Sequence, residues 1–175
     1  LATADSSPTW PVRLHLRRIG DEFEIVFDDG STARCIAMVP PERNLNKLFP
    51  WTHLDVDASR SASQEYHIPP EVFVSDGEDG SVVAKWVEAR DGVGGIHHLA
   101  YQVESVEAKM REWREKGYAE FTTDDPLTCP GLTQAFTQPS ELTGVIYEFI
   151  ERQPENQGFC KDNVKNLMES TKHLS

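Results

Sequence analysis

Two residue types that bind divalent cations stand on apolar stretches fifty residues apart, His98 and Glu148. The first stretch, Gly95-Ile96-His97-His98-Leu99-Ala100-Tyr101-Gln102-Val103, carries tandem histidines. The second, Gly144-Val145-Ile146-Tyr147-Glu148-Phe149-Ile150, carries one carboxylate. In both, apolar and polar side chains alternate with a period of two, the pattern of a half-buried strand. Leu99, Tyr101 and Val103 share one face of the first strand, and His98, Ala100 and Gln102 the other. Tyr147 and Phe149 share one face of the second, with Ile146, Glu148 and Ile150 opposite. A polar group on an apolar strand costs free energy unless it is partnered. An imidazole and a carboxylate can find that partner in one divalent ion such as Fe(II), Mn(II), Co(II) or Zn(II). On the residues alone, a buried hydrogen-bonded pair is the simpler reading.

The elements that must position these groups follow from the rest of the chain. Residues 1–10 are small and polar and read as a flexible N-terminus, 11–152 as the folded domain, and 153–175 as a linker with a closing helix. Strands are predicted over Val12–Ile19, Glu22–Asp28 and Thr32–Val39, divided by hairpin signals at Gly20-Asp21 and Asp28-Asp29-Gly30-Ser31. Pro40-Pro41 ends this meander. A short helix over Glu42–Phe49, a strand over 51–57 and a Ser-rich loop over 58–70 follow. Glu71–Ser75 and Ser81–Glu88 read as a hairpin around Asp76–Gly80. Beyond the His98 strand, Ser105 is expected to cap a helix to about Lys116, with Val106, Met110 and Trp113 on one face and Gly117 as its stop. Strands over Ala119–Thr122, Leu132–Thr137 and Gly144–Glu151 complete a β-α-β-β-β order across 96–151. A terminal amphipathic helix is predicted near Asp162–Thr171, with Val164, Leu167 and Met168 on its apolar face.

Composition sets the outer bounds. The 175 residues support one domain, and 38% hydrophobic content with eight Phe, four Trp and four Tyr is enough for a packed core. A formal charge of −12 argues against nucleic acid as a partner, since phosphates would be repelled. Arg13, Arg17 and Arg18 read as a solvated strand face. No apolar run approaches a membrane span, so no membrane partner is expected. Cys35, Cys129 and Cys160 are too few and too scattered for a disulfide framework, which points to a reducing, cytoplasmic setting.

A β-α-β-β-β unit with His on its first strand and Glu on its last resembles the vicinal-oxygen-chelate (glyoxalase-like) superfamily. That resemblance implies an α+β fold in which paired modules form a curved, cup-like mixed sheet around one metal ion. It assigns His98, rather than His97, and Glu148 to the metal. The C-terminal third is similar to the 4-hydroxyphenylpyruvate dioxygenase family: Leu132-Thr133-Gln134-Ala135-Phe136-Thr137-Gln138-Pro139, then Tyr147-Glu148-Phe149-Ile150-Glu151-Arg152, then Gln157-Gly158-Phe159 and Asn163 followed by Leu167. Carried over by motif, Gln134, Phe136, Phe159 and Asn163 are the implied substrate-binding residues. The chain departs from that family at Cys160 and Val164, where the family prefers Gly after the Phe and Phe after the Asn. Family members are also about twice as long.

The resemblance implies a metal-dependent enzyme, most like an Fe(II) dioxygenase acting on an aryl 2-oxo acid. An isomerase or epimerase of the same superfamily, or a metal-free small-ligand-binding relative, are the alternatives. A third metal ligand is needed, and three readings stay open. His15 lies on a good strand. His53, in Trp51-Thr52-His53-Leu54-Asp55-Val56-Asp57, sits in a context like that of His98. In the third reading no ligand exists: Arg34 and Lys85 occupy the corresponding strand positions, and Glu148 is neutralised by Arg34 or Lys85. A homodimer whose partner subunit completes the site is a further option. His67, His173, Asp55, Asp57, Asp124 and Asp125 read as surface groups.

Overall fold

A computed structural model describes residues 17–39, 72–153 and 159–174. Residues 12–16 of the predicted first strand, the helix over 42–49, the strand over 51–57, the loop over 58–70, and His15, His53 and His67 lie outside the described residues. Residues 18–37 and 72–175 make up one compact unit. Its class is α+β, as the sequence implies, with two sheets and a C-terminal helix.

The first sheet has the order β1 (Arg17–Val26), β2 (Thr32–Val39), β3 (Val72–Gly77). Between β1 and β2 the Asp28-Asp29-Gly30-Ser31 signal makes the expected turn: Gly30 takes φ +85°, its N–H donates to Phe27 O, and Asp29 accepts from the Ser31 N–H and hydroxyl. The other expected break, at Gly20-Asp21, does not occur, and β1 runs straight through it. Glycine lacks a side chain but keeps its backbone donor and acceptor, so it need not end a ladder.

Ser81–Glu88 is not the returning strand of a hairpin but a helix, α1 (Val82–Glu88), whose N-cap Ser81 accepts from the Ala84 N–H at 3.1 Å. The chain enters this helix so closely that a Cβ on Gly77 would collide with the Ser81 hydroxyl and come within 2.7 Å of the Val83 Cβ.

The second sheet has the order β4-β7-β6-β5, built from β4 (His98–Gln102), β5 (Leu127–Cys129), β6 (Leu132–Phe136) and β7 (Ile146–Arg152). β4 pairs parallel to β7, while β6 pairs antiparallel to both β7 and β5, so the sheet is mixed. The predicted strand Ala119–Thr122 reduces to one bridge between Phe121 and Thr137; Leu127–Cys129 takes its place, turned back by Pro130-Gly131 with Gly131 at φ +74°. Between β4 and β5 runs α2 (Val106–Glu115), capped by Ser105 and stopped at Gly117, φ +64°. Its first N–H also finds the Glu151 carboxylate at 3.0 Å.

α2 covers one face of this sheet, where Val106 and Met110 pack on Phe121, Ala135 and Phe149, with Trp113 alongside. α3 (Lys161–Glu169) serves the other: Leu167 packs on Phe136 and Ile146. The same helix sends Val164 and Met168 into a second cluster with Ile25, Phe27, Ala33, Cys35, Val82 and Val83. One amphipathic helix is thus held by both sheets, and its position is fixed by two cores.

Candidate functional site

The register of the second sheet brings the sequence's chemical residues together. β7 lies between β4 and β6, and Glu148 stands opposite Ala100 on one side and Phe136 on the other. Its diagonal neighbours on the same face are His98, two residues along β4, and Gln134, two residues along β6. The contacts follow that geometry. His98 Nε2 is 3.2 Å from Glu148 Oε2, and Gln134 Nε2 donates to Glu148 Oε1 at 2.7 Å. From α3, Asn163 Nδ2 donates to Gln134 Oε1 at 3.1 Å and to the Leu127 carbonyl at 3.2 Å.

These groups are deep. Glu148 is 2% exposed, Gln134 1% and Asn163 3%. An ionised carboxylate only accepts, which fixes the Gln134 amide with its nitrogen toward Glu148. The Gln134 oxygen then faces Asn163 and fixes that amide in turn. The result is a single chain of contacts, Asn163–Gln134–Glu148–His98, whose far end is anchored on the backbone of β5.

The chain extends one residue further than the sequence suggests. His97 lies just before β4, and its Nδ1 is 3.0 Å from His98 Nδ1. The period-two pattern places His97 with Leu99 and Tyr101 on a packed face. Those two residues are instead 41% and 50% exposed, because β4 pairs only with β7 among the described strands. The His97 ring is edge-on to Trp86 of α1 at 5.5 Å and 5.9 Å from Phe136, which itself lies 4.8 Å from the His98 ring. Burial first, then the neighbouring His98 and Arg90, holds the His97 imidazole down at about 3, so it is neutral at ordinary pH. The tandem His-His step is the signal that could have pointed to this contact.

Of the implied site residues, His98, Glu148, Gln134, Asn163 and Phe136 therefore meet. Phe159 packs elsewhere: its ring is 4.7 Å from Phe73 of β3, with the Arg152 guanidinium over it at 5.4 Å. Neither Arg34 nor Lys85 neutralises Glu148, contrary to the third expectation. Arg34 is exposed, donates a hydrogen bond to Asp76 at 2.7 Å and forms a looser ion pair with Glu22 at 3.8 Å. Lys85 is an exposed residue of α1, since the strand that would have aimed it inward is a helix. Asp124, Asp125 and His173 are exposed, as expected.

The donor set fits part of a metal site. At bond lengths of about 2.1 Å, two adjacent ligands of one ion lie about 3 Å apart, which matches the 3.2 Å between Nε2 and Oε2. A carboxylate with its other oxygen held by an amide, and an imidazole with its second nitrogen bonded, are what oriented ligands look like. Among the described residues no third His, Cys, Asp or Glu joins them.

Solved structures share this arrangement of elements. A hypothetical protein from Bacillus halodurans C-125 superposes with a TM-score of 0.51 over 82% of this chain and 80% of its own, at 21% identity. A mutant of 4-hydroxymandelate synthase from Streptomyces coelicolor gives 0.61 over 89% of this chain, at 17% identity. Methylmalonyl-CoA epimerase from Mycobacterium tuberculosis gives 0.50 over 82% of this chain and 75% of its own, at 18% identity. The chain has the vicinal-oxygen-chelate fold. In this fold β4–α2–β5–β6–β7 is one complete β-α-β-β-β module, with His98 on its first strand and Glu148 on its last. The chain spans less than half, 45%, of the length of the hydroxymandelate synthase. No protein-family model and no curated protein sequence matches it.

Proposed function

We propose that this chain is a metal-dependent enzyme in which His98 and Glu148 are two ligands of one divalent ion, with Fe(II) favoured, and that its substrate is an aryl 2-oxo acid. The observation that carries the proposal is the buried His98–Glu148 pair, oriented from both sides. When bound, such an ion supplies Lewis-acid and redox chemistry toward a 2-oxo acid and oxygen. The chain's own part is as follows. Glu148 brings the negative charge, and Gln134, held by Asn163, sets the rotation of its carboxylate. For His98 to offer Nε2 as a lone pair, its hydrogen must sit on Nδ1, and the neutral His97 is placed to accept that hydrogen bond. Phe136 gives the site an apolar wall against the imidazole, which excludes water from that side.

The dioxygenase reading rests on the order of motifs around Gln134, Glu148 and Asn163, and on the likeness in fold to 4-hydroxymandelate synthase. An epimerase or isomerase is the second reading, favoured by the likeness to methylmalonyl-CoA epimerase. There a site carboxylate would move a proton next to a carbonyl. No helix among the described residues is long and apolar enough to cross a membrane.

The test is metal content after purification without chelator and after anaerobic Fe(II) reconstitution, followed by oxygen uptake with aryl 2-oxo acids. One ion per chain, lost in Glu148→Ala, with oxygen consumed, is the expected result. A bound ion without oxygen uptake moves the assignment to the isomerase class. No ion under either condition, with Glu148→Ala unchanged, overturns the proposal.

A further inference from the structure

The helix α1 belongs to the core of the first sheet, yet it reaches the His98–Glu148 group of the second. Val82 and Val83 enter the cluster around Ile25 and Phe27, and Trp86, one turn on, is left half-buried. Two neighbours fix its ring. The Arg90 guanidinium lies over it at 3.9 Å, and Arg90 Nη1 donates to the Trp86 carbonyl at 3.0 Å. Gly95, in the exposed connector before β4, passes so near that a Cβ there would stand 3.5 Å from the indole. The indole then meets the His97 imidazole edge-on, with centroids 5.5 Å apart and planes at 69°. The χ2 angle of a histidine is broad, so the angle of the His97 ring is set by what packs on it. That packing is Trp86, Phe136 at 5.9 Å and the perpendicular His98 ring at 5.2 Å. Among the described residues the His97 ring makes one hydrogen bond, the 3.0 Å contact between its Nδ1 and that of His98.

We propose that Trp86 is a positioning residue for the candidate site: its ring sets the angle at which the His97 imidazole bonds to His98 Nδ1, and that bond keeps His98 Nε2 turned toward Glu148. The His98 ring carries a partner at each nitrogen, His97 at Nδ1 and Glu148 at Nε2. A half-turn of that ring would put carbon in place of both nitrogens. Two bonds oppose the turn; without His97 only the contact with Glu148 does. Whichever histidine carries it, one hydrogen lies between the two Nδ1 atoms, so the bond persists in either tautomer of the site. Its functional meaning rests on His98 as a metal ligand, but the bond itself forms with or without an ion. Trp86 thus gives a helix of the first sheet's core a hold on a ligand carried by the second sheet.

The experiment records histidine ring N–H signals by NMR on the whole, isotope-labelled chain, metal-free and then with one equivalent of Zn(II), a diamagnetic stand-in for Fe(II). The parent should show one slowly exchanging ring N–H, assigned to the bond between the two Nδ1 atoms by its loss in His97→Phe. Trp86→Ala should lose that signal to exchange with water and bind Zn(II) about tenfold more weakly, the low end of what an orienting group contributes. Trp86→Phe, which keeps an aromatic edge, should restore both. Trp113→Ala removes an indole packed on the other face of the second sheet, and should lower stability while leaving signal and affinity unchanged. Arg90→Ala, an exposed change, uncovers the indole and should speed exchange of the same signal, which keeps the question answerable if Trp86→Ala does not fold. A parent without the slow signal, a folded Trp86→Ala that keeps both signal and affinity, or equal losses in Trp113→Ala would each overturn the role of Trp86. The signal lost in Trp86→Ala while the parent binds no Zn(II) would support that role and refute the metal reading instead.

Discussion

The Gln134 amide is the most informative position to perturb, because the structure gives it one job on each side. Gln134→Leu keeps a side chain of similar size on β6 and removes both bonds. Glu148 Oε1 loses its 2.7 Å donor at a site 2% exposed, while Asn163 keeps its bond to Leu127 O. A hydrogen bond to a buried charged group is worth about 1.5–3 kcal/mol, and the Asn163 contact adds less because one of its two bonds survives. The variant should therefore lose about 2–3 kcal/mol of stability, or about 5–10 °C in melting temperature for a chain of this size. Because Glu148 is then free to rotate, affinity for Fe(II) or Mn(II) should fall by about 10–100-fold, the usual cost of removing a group that orients a ligand. Asn163→Leu should do part of this, and the double variant should show a coupling of about 1 kcal/mol, since the two residues act in series. The assays are denaturant unfolding and anaerobic metal titration on the same preparations. If Gln134→Leu melts and binds metal like the parent, the bond network does not orient Glu148 and the reasoning fails.

The His97 imidazole is held at about 3 against an ordinary 6.5, so between these values the folded chain binds fewer protons than the unfolded one. Its contribution to stability is complete above the higher value and is lost as pH falls toward the lower one, by up to about 1.4 kcal/mol per pH unit. His97→Gln should flatten that slope in urea unfolding across the range; an unchanged slope would refute the burial argument. Met110 is 2% exposed between α2 and the sheet face opposite Glu148. Met110→Ala should cost about 2–5 kcal/mol while leaving metal affinity per folded chain unchanged, and a parallel loss of affinity would contradict the separation of the two faces. Ser81→Ala should cost about 1 kcal/mol as a lost helix cap, seen in thermal unfolding, and no change would argue against the cap at α1.

What the sequence makes legible here is local or diagonal. α2 is written in one window: a serine cap, apolar residues at helical spacing and a glycine stop, all of which the structure uses. The meeting of His98 with Glu148 follows from two strands whose alternation puts both residues on one face, so only the pairing of the strands was left to supply. β5 escaped because three residues are too few to show alternation, although Pro130-Gly131 after it was a turn signal. α1 escaped for a different reason. Ser81-Val82-Val83-Ala84-Lys85-Trp86-Val87 reads as a strand because valine prefers one, but as a helix the segment buries Val82 and Val83 in one cluster with Ile25 and Phe27, and tertiary packing overrides the weak local preference. Ser81, 0% exposed and bonded to the Ala84 N–H, was the competing signal.

The helix over Val82–Glu88 takes Lys85 away from Glu148, and Arg34 is held elsewhere by its own partners. Neither cation therefore reaches the buried carboxylate. Its described side-chain partners are Gln134, which is neutral, and His98, whose Nε2 lies 3.2 Å away. A hydrogen on that nitrogen gives the bonded pair that the residues alone suggest. A lone pair there, with the hydrogen moved to Nδ1 and accepted by His97, gives half of a ligand set. The two states use the same heavy atoms in the same places, so the strands need not move between them. The simpler reading of the sequence and the chemical one are thus two tautomers of one site. His97, neutral above about 3, is the residue that lets His98 choose between them.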